Sequence, residues 1–572
     1  MASLDDRTLR FAFWGVVVAT AILYFARLGA RALWSSEFRW AEIAREMIRS
    51  GNYFWPTING HVYYDKPLGS YWLVVAATWV SGGMNELASR IPCAIAGLVA
   101  VILMIALARR LYDARTGVIS GMILATSFSF VFFSRHASAD VETITGELAA
   151  LLLYLKFEDN PDGWWVCWLW IVMAATSLTK GLLGFVLPIM VIGLYATLGD
   201  GIPDFWRSIN SGSLFARFAR IFRRNRWLFN WKTALAAPLG LAIYVAPFLI
   251  SQHVEGSQRG LAMVYRENVV RFFQPFDHRG PIYLYLYVIF ALMAPWSVFI
   301  PAGLIHAHAR RHQELEPARS DRFVLIFFWA TFVFYTISGS RRSYYILPIL
   351  PAAAILVARL LLAPRASLAR WARIFLDIGY WVLAICVVGG LVLLMPPSVL
   401  PIKDLALYPA APDRVAFAAM WIVVLATVAI AVRTFSPRWI LISSIAAAYA
   451  SMIYIYVLAM PAVEQYRGEK AFALEVVAKL GEGVPKLGFF NTVGPLFYLD
   501  PPQPLPEFDS ADELAKAVAQ NQIRWVILRR RDLDNLKMPA KILASEASYP
   551  WETDYNIRNK VVLADLVASD NR

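Results

Sequence analysis

E-F-R-W-A-E-I-A-R-E-M at 37–47 and W-P-T-I-N-G-H-V-Y-Y-D-K-P at 55–67 form one stretch dense in charge and aromatic rings. Apolar segments of membrane-crossing length lie close to it on both sides. Ionisable groups at membrane depth are costly and by default mark a functional site. The stretch therefore reads as a binding or catalytic loop carried by a membrane protein.

Working outward, composition supports that reading. The 572-residue chain is 58% hydrophobic and holds 21 Trp, 25 Tyr and 35 Phe, with a mean hydropathy of +0.51. Soluble proteins are less apolar, and their apolar runs stop short of the roughly 20 residues that cross a bilayer. Candidate spans fall at 11–29, 91–108, 117–134, 141–157, 163–179, 181–198, 233–251, 282–303, 323–338, 345–363, 374–395, 415–432 and 439–459, about thirteen in all. Ala30-Arg31-Ala32 resembles a signal-peptidase site, but the start Asp5-Asp6-Arg7 is only weakly basic, so 11–29 is read as a span.

The formal net charge is +13. Its Lys and Arg residues cluster in short loops between apolar runs, the pattern of cytoplasmic loops, and no aromatic-basic module points to nucleic acid. With a cytoplasmic N-terminus and segment 70–83 lying at the interface, one side collects the basic residues. These are Arg109, Arg110, Arg115, Arg217, Arg220, Arg223, Arg224, Arg226, Arg310, Arg311, Arg365, Arg370, Arg373, Arg433 and Arg438. Counting 70–83 as a span would put the first three outside, so the interfacial assignment is favoured. Cys93, Cys167 and Cys386 all fall in apolar runs, as buried structural thiols do.

The tail differs in kind. An amphipathic helix at 466–480, a strand at 486–490, a Pro-rich turn at 501–506, a helix near 511–520 and a strand at 524–529 predict a small α/β domain. Roughly 110 residues can bury a core of their own. The expected fold is an all-α polytopic membrane protein over 1–460, its catalytic first outer loop at 30–90, with a C-terminal extracytoplasmic α/β domain over 461–572.

This topology gathers Glu37, Arg39, Asp65, Lys66, Arg135, His136, Asp140, Lys180, Glu267, Arg271, His278, Arg341, Arg342, Tyr344 and Tyr345 at the outer face. Lys and Arg match phosphate, and Arg does so in a bidentate way, so the set suits an anionic lipid-linked substrate. Glu37 and Asp140 could supply a base for an acceptor hydroxyl or help to hold a divalent metal. Lys180 also fits a snorkelling lysine, and Arg341-Arg342 with Tyr344-Tyr345 an aromatic belt. No ligand spacing defines a metal site, and no Gly-rich loop cradles a nucleotide. A transporter of lipid-linked sugars would instead carry charge deep inside several spans, with access from both faces.

At these residues the chain resembles the aminoarabinose transferase and protein O-mannosyltransferase family of GT-C membrane glycosyltransferases. The resemblance runs through E-x-R-W-A-E-I-A-R-E-M (37–47), N-G-H-V-Y-Y-D-K-P (59–67), S-R-H-A-S-A-D (134–140) and T-K-G-L-L-G-F-V-L-P (179–188). It continues in R-E-N-V-V-R-F (266–272), P-W (295–296) and S-G-S-R-R-S-Y-Y-I-L-P (338–348), covering 11 to about 360. It implies transfer of a sugar, with inversion, from a polyprenyl-phosphate donor to a lipid (lipid A-like), glycan or protein acceptor outside the cytoplasm. The setting it implies is the bacterial inner membrane, with the active site and the C-terminal domain periplasmic. By the same resemblance Glu37 and Asp140 are the catalytic acids, while Lys66 and Lys180 hold the carrier phosphate with Arg342 and Tyr345. Arg39, Asp65, Arg135, His136 and Arg271 are expected around the substrate. Two departures stand out. Ser36 occupies the first position of the family's Asp-Glu pair, which shifts weight to Asp140. Asp65 and Asn268 stand nearest to a Glu and a His that hold a metal in aminoarabinose transferases, so the same metal site is not implied.

Overall fold

The computed structural model describes residues 6–34, 36–160, 162–198, 225–256, 259–275, 277–310, 316–392, 437–462, 468–536, 538–548 and 552–566, with residues 219, 222, 422, 425, 426, 429 and 464 besides. The expected span 415–432, apart from residues 422, 425, 426 and 429, lies outside the described residues, as do Arg217, Arg220, Arg223, Arg224, Arg311, Arg433 and the Cys386 side chain.

Among the described residues five helices are long and apolar enough to cross a membrane: Arg7–Phe25, Glu86–Leu111, Trp231–Glu255, Arg319–Ile337 and Trp439–Leu458. A sixth crossing arises if the helices α5 (Ala114–Ala125) and α6 (Phe128–Ser134), bent by 70° at their junction, count as one. The single straight span expected at 117–134 is therefore broken. The span expected at 282–303 is broken as well, into Leu284–Leu292, a tight turn over Trp296–Phe299 and a helix from Ile300. Each break supplies what the other lacks. The Phe128 amide donates to the Ala294 carbonyl at 2.9 Å, and Trp296 Nε1 donates to Thr126 Oγ1 at 2.8 Å. Neighbouring chain thus satisfies the backbone groups that a broken helix frees in an apolar setting.

Segment 70–83 forms α3 (Gly69–Ser81), whose 13 residues rise only about 20 Å, too short for the hydrocarbon core. It packs so closely on the helix α8 (Trp165–Lys180) that a Cβ on Gly69 would lie 2.6 Å from the Leu178 carbonyl oxygen. Exposed Phe11, Trp14, Val18 and Ile22 on α1 (Asp6–Phe25) give that helix an apolar outer face of the kind lipid covers.

Two further helices place the site. Asp140 opens α7 (Asp140–Phe157), and Lys180 ends α8. The two run antiparallel and touch at small residues, a Cβ on Gly146 being blocked by Thr176. The pairing brings the start of α7 beside the end of α8. An acid at a helix N-terminus and a base at a C-terminus both suit the helix dipole.

The charged first loop folds as the amphipathic helix α2 (Glu37–Ser50), closed by Gly51 in the left-handed conformation, followed by the hairpin β1 (Thr57–Ile58) and β2 (His61–Val62). Asn59 and Gly60 turn the hairpin with φ of 54° and 77°. Both central residues of this two-residue turn need positive φ, which is why Asn-Gly suits it. A Cβ at Gly60 would also meet Pro504 Cγ at 2.8 Å.

The tail helix Gly468–Leu480, the strand β3 (Leu487–Phe490), the helix Ala511–Ala519 and the strand β5 (Trp525–Arg529) fall where the sequence pattern puts them. Three more strands, β4 (Glu507–Phe508), β6 (Lys541–Ser545) and β7 (Val561–Asp565), complete a sheet in the order β4-β3-β5-β7-β6. β3 lies parallel to β4 and β5, whereas β7 is antiparallel to both β5 and β6.

This unit is fastened to the first loop. Asn59 Nδ2 donates to the Leu505 carbonyl at 2.7 Å, and the Leu505 amide donates back to Asn59 Oδ1 at 2.8 Å. Buried Arg45 reaches Asp500 and donates to the Phe497 carbonyl at 2.8 Å. The Asn59→Ala variant leaves both backbone groups of Leu505 unpaired, a loss of about 1–3 kcal/mol. Hydrogen exchange should then show faster opening around 496–508, with the membrane helices unchanged.

Candidate functional site

A cavity of about 650 Å³ opens where α2, α3, α7, α8, the segment 263–278 and the segment 334–345 meet. That volume suits a sugar and its phosphate. Arg39, Asp65, Lys66, Asp140, Lys180, Arg271, Arg342 and Tyr345 all line it, as do Glu267 and His278.

At its floor Lys180 Nζ makes an ion pair with Asp140 and lies 5.7 Å from the centre of the Tyr345 ring. Both partners are largely buried, with side chains 14% and 7% exposed. Buried cation and carboxylate must be paired, and each is thereby held in place for a substrate charge that competes for it. Arg342 stands nearby, donating to Tyr344 Oη at 2.8 Å.

The wall formed by the first loop is more polar. Asp65 pairs with Arg39 at 3.5 Å and Lys66 at 3.7 Å, and it accepts from Tyr71 Oη at 3.4 Å. Trp40 packs on Tyr71 with ring centres 4.9 Å apart. On the opposite wall Arg271 bridges two acids, pairing with Glu267 and, through Nη2, with Asp277 Oδ2 at 2.6 Å. His278 Nε2 lies 3.1 Å from the same Asp277 oxygen. Burial and the nearby Arg342 guanidinium lower the His278 pKa, so its ring is neutral at neutral pH.

Four of the residues expected at the outer face are placed elsewhere. Glu37 does not line the cavity. It is buried, and both its oxygens are held by Arg90, whose Nε and Nη2 each donate at 2.8 Å. The amides of Trp34 (3.0 Å) and Ala137 (2.9 Å) also donate to it, and His136 Nδ1 lies 3.3 Å away. Burial opposes ionisation of Glu37, but Arg90, His136 and the Ala137 amide outweigh it and hold the pKa well below the usual carboxylate range. A carboxylate with that many donors has no free lone pair facing a substrate. His136 stacks on Phe132 beneath this cluster, with ring centres 5.0 Å apart. Arg135 donates to the carbonyls of Leu23, Tyr24 (2.9 Å) and Ala26 (2.9 Å), closing the end of α1. Arg341 is likewise a backbone brace, donating to the carbonyls of Thr336 (3.0 Å) and Gly280 (2.9 Å).

Glu37 pairs with Arg90 of α4 (Glu86–Leu111), and Asp140 pairs with Lys180. Arg90 and Asp277 escaped the sequence reading. An arginine at the head of an apolar helix was a usable signal for the first. Among the described residues no three His, Cys, Asp or Glu side chains come together as a metal site would require. The acids of the cavity are instead paired with Arg39, Lys66, Lys180 and Arg271.

Comparison with known proteins fits this architecture. The dolichyl-phosphate-mannose-protein mannosyltransferase family model matches residues 65–209. An uncharacterised protein of Aquifex aeolicus is 28% identical over 347 residues, 60% of this chain and 62% of the relative. An undecaprenyl phosphate-alpha-4-amino-4-deoxy-L-arabinose arabinosyl transferase of Pseudomonas fluorescens is 25% identical over 369 residues, 62% of this chain and 60% of the relative. The matched region spans about three fifths of the length of these curated relatives. In fold, the crystal structure of ArnT from Cupriavidus metallidurans bound to undecaprenyl phosphate superposes with a TM-score of 0.69 at 23% identity, covering 97% of this chain and 98% of that one. In sequence the chain is thus similar to aminoarabinose transferases over about three fifths of its length, and it shares its fold with an ArnT.

Proposed function

We propose that the protein is an inverting glycosyltransferase that moves a sugar from a polyprenyl-phosphate donor to a lipid, glycan or protein acceptor. The observation that carries this reading is the convergence of Lys66, Lys180, Arg271 and Arg342 on one cavity whose floor carries Asp140. The apolar side chains of Leu182, Leu183, Val186 and Phe334 line the same cavity, and a polyprenyl chain would leave along them between helices. The fold is shared with an ArnT crystallised with undecaprenyl phosphate.

The chemistry follows from the Asp140–Lys180 pair. A donor phosphate entering the cavity competes for the Lys180 ammonium and frees the Asp140 carboxylate to face the acceptor. The acceptor oxygen attacks the anomeric carbon, and the bond to the phosphate oxygen breaks with its electron pair. Lys180, Lys66 and Arg342 stabilise the growing phosphate charge, where preorganised cations help most. The acceptor proton passes to Asp140 when the acceptor is a hydroxyl, and an acceptor phosphate needs no base.

With the expected thirteen or so crossings and a cytoplasmic N-terminus, this cavity would open at the outer face of a bacterial inner membrane, among membrane lipids. The unit over 461–572 then lies on the periplasmic side as a cap on the first loop. Supporting this, Asp140, Lys180 and the docked tail share one end of the molecule, while Tyr112–Asp321 (2.6 Å) and Arg319–Glu158 (3.1 Å) mark the other, near the basic loops.

Purified protein in lipid nanodiscs with a labelled polyprenyl-phosphate sugar tests the reading. The Lys180→Ala variant should lose about 10²-fold in kcat through lost phosphate stabilisation. Transfer at the wild-type rate would remove Lys180 from the site.

A further inference from the structure

The turn that carries Lys180 is held from outside its own helix. Lys180 is the last residue of α8, and Gly181 follows with φ of 94° before the helix Leu183–Leu198 begins. Helix ends fray unless their free backbone groups find partners. On one side α3 braces this end, where Ser70 Oγ donates to the Thr179 carbonyl at 3.3 Å. On the other stands half-buried Asn268, 86 positions beyond Leu182. Its Oδ1 accepts from the Leu182 amide at 2.9 Å, and its Nδ2 donates to the Val264 carbonyl at 2.8 Å. The two bonds fix which way the carboxamide points. Gly181 makes the approach possible, since a Cβ there would lie 2.6 Å from Asn268 Oδ1. Asn268 belongs to a π-helical turn over Arg266–Val270, directly before Arg271. Such turns are rare and frequently lie at functional sites.

We propose that Asn268 is a positioning residue for the donor phosphate, setting the direction of Lys180 through the Gly181-Leu182 turn. The inference rests on the polyprenyl-phosphate reading above and deepens it. Asp140 holds the ammonium end of Lys180. A phosphate that competes for the ammonium loosens that hold, and the aim of Lys180 then depends on its backbone. The Asn268 carboxamide ties that backbone to the wall carrying Arg271, so the two cations keep a fixed spacing across the cavity they both line. Misplacing a charge by an ångström is enough to lose much of its effect. Both polar atoms of Asn268 already bond to backbone, so it acts through Lys180 and not on the substrate itself.

The test is a double-mutant cycle on the full chain in lipid nanodiscs, reading the Kd of fluorescent undecaprenyl phosphate. Lys180→Ala should weaken binding about tenfold, and Asn268→Ala about fivefold. Because Asn268 acts through Lys180, the double variant should bind no more weakly than Lys180→Ala alone. Asn268→Ala combined with Arg342→Ala should instead multiply the separate losses, since Arg342 stands on a different wall. Asn268→Asp reads the same bond without emptying the position: it keeps an oxygen for the Leu182 amide and should regain most of the loss. Losses that multiply between Asn268→Ala and Lys180→Ala would overturn the inference while leaving the polyprenyl-phosphate reading intact. So would wild-type binding by Asn268→Ala, or an Asp variant that binds no better than Ala. Unchanged binding by Lys180→Ala would remove Lys180 from the site, and the inference with it. Failure of the wild-type protein to bind the probe would sink the polyprenyl-phosphate reading itself.

Discussion

Asp140→Asn is expected to slow sugar transfer to a hydroxyl acceptor by about 10²–10⁴-fold, with donor binding retained. The side chain keeps its size and its place at the start of α7, so the antiparallel contact with α8 survives. What disappears is the proton acceptor and the charge opposite Lys180. Lys180 then has no competing carboxylate, so affinity for polyprenyl phosphate should hold or rise. The comparison of kcat with donor affinity is therefore the decisive measurement. A fall in both together would point to collapse of the site. A small effect on kcat with tight donor binding would point to a phosphate acceptor, which needs no base. Wild-type transfer to a hydroxyl acceptor would exclude Asp140 from the chemistry.

The second large effect is expected at the Glu37–Arg90 pair, and on folding before catalysis. Arg90 bonds both Glu37 oxygens and also donates to the carbonyls of Leu28 (3.0 Å), Arg31 (2.8 Å) and Ala32 (2.9 Å). One guanidinium thus ties the end of α1, the entry to α2 and, through Glu37 and the Ala137 amide, the turn that presents Asp140. With side chains 4% and 2% exposed, removing one partner strands a buried charge. Arg90→Leu should cost about 3–5 kcal/mol, read as a lower apparent Tm in detergent. An apolar double variant should not recover it, because three carbonyls and two amides would stay unpaired. Glu37→Gln adds a pH signature. The folded pKa of Glu37 is depressed, so its contribution is present above the ordinary carboxylate pKa and is lost as pH falls through the folded value. The stability gap between wild type and Glu37→Gln should therefore be full at neutral pH and shrink only under strong acid. A gap that does not change with pH would mean the ionised pair is not what stabilises this junction.

Much of the architecture was legible along the chain, because it rests on local rules. Apolar runs mark the membrane helices, and period and turn residues marked two helices and two strands of the tail. Strands β4, β6 and β7 escaped, the last because a fully buried V-V-L-A-D shows no alternation. Straight spans were read across 117–134 and 282–303, where paired breaks satisfy each other's backbone groups, a relation between segments over 160 residues apart.

The site divides in the same way. Residue types and the outer-face topology brought Arg39, Asp65, Lys66, Asp140, Lys180, Arg271, Arg342 and Tyr345 together, and all of them line the cavity. Which charge meets which was decided only in three dimensions. Glu37, Arg135 and His136 stand beside the right motifs, yet they face backbone carbonyls, amides and Arg90. A carboxylate's sequence announces its charge but not its partner, since Glu37 and Arg90 are 53 positions apart and no helical spacing links them. The stretch at 37–67 was enough to mark a charged loop on a membrane protein. The antiparallel packing of α7 on α8 then set Lys180 against Asp140, and the burial of Arg90 turned Glu37 from an expected base into a brace. Packing fixes distance and exclusion of water, and those two quantities decide what a charge can do.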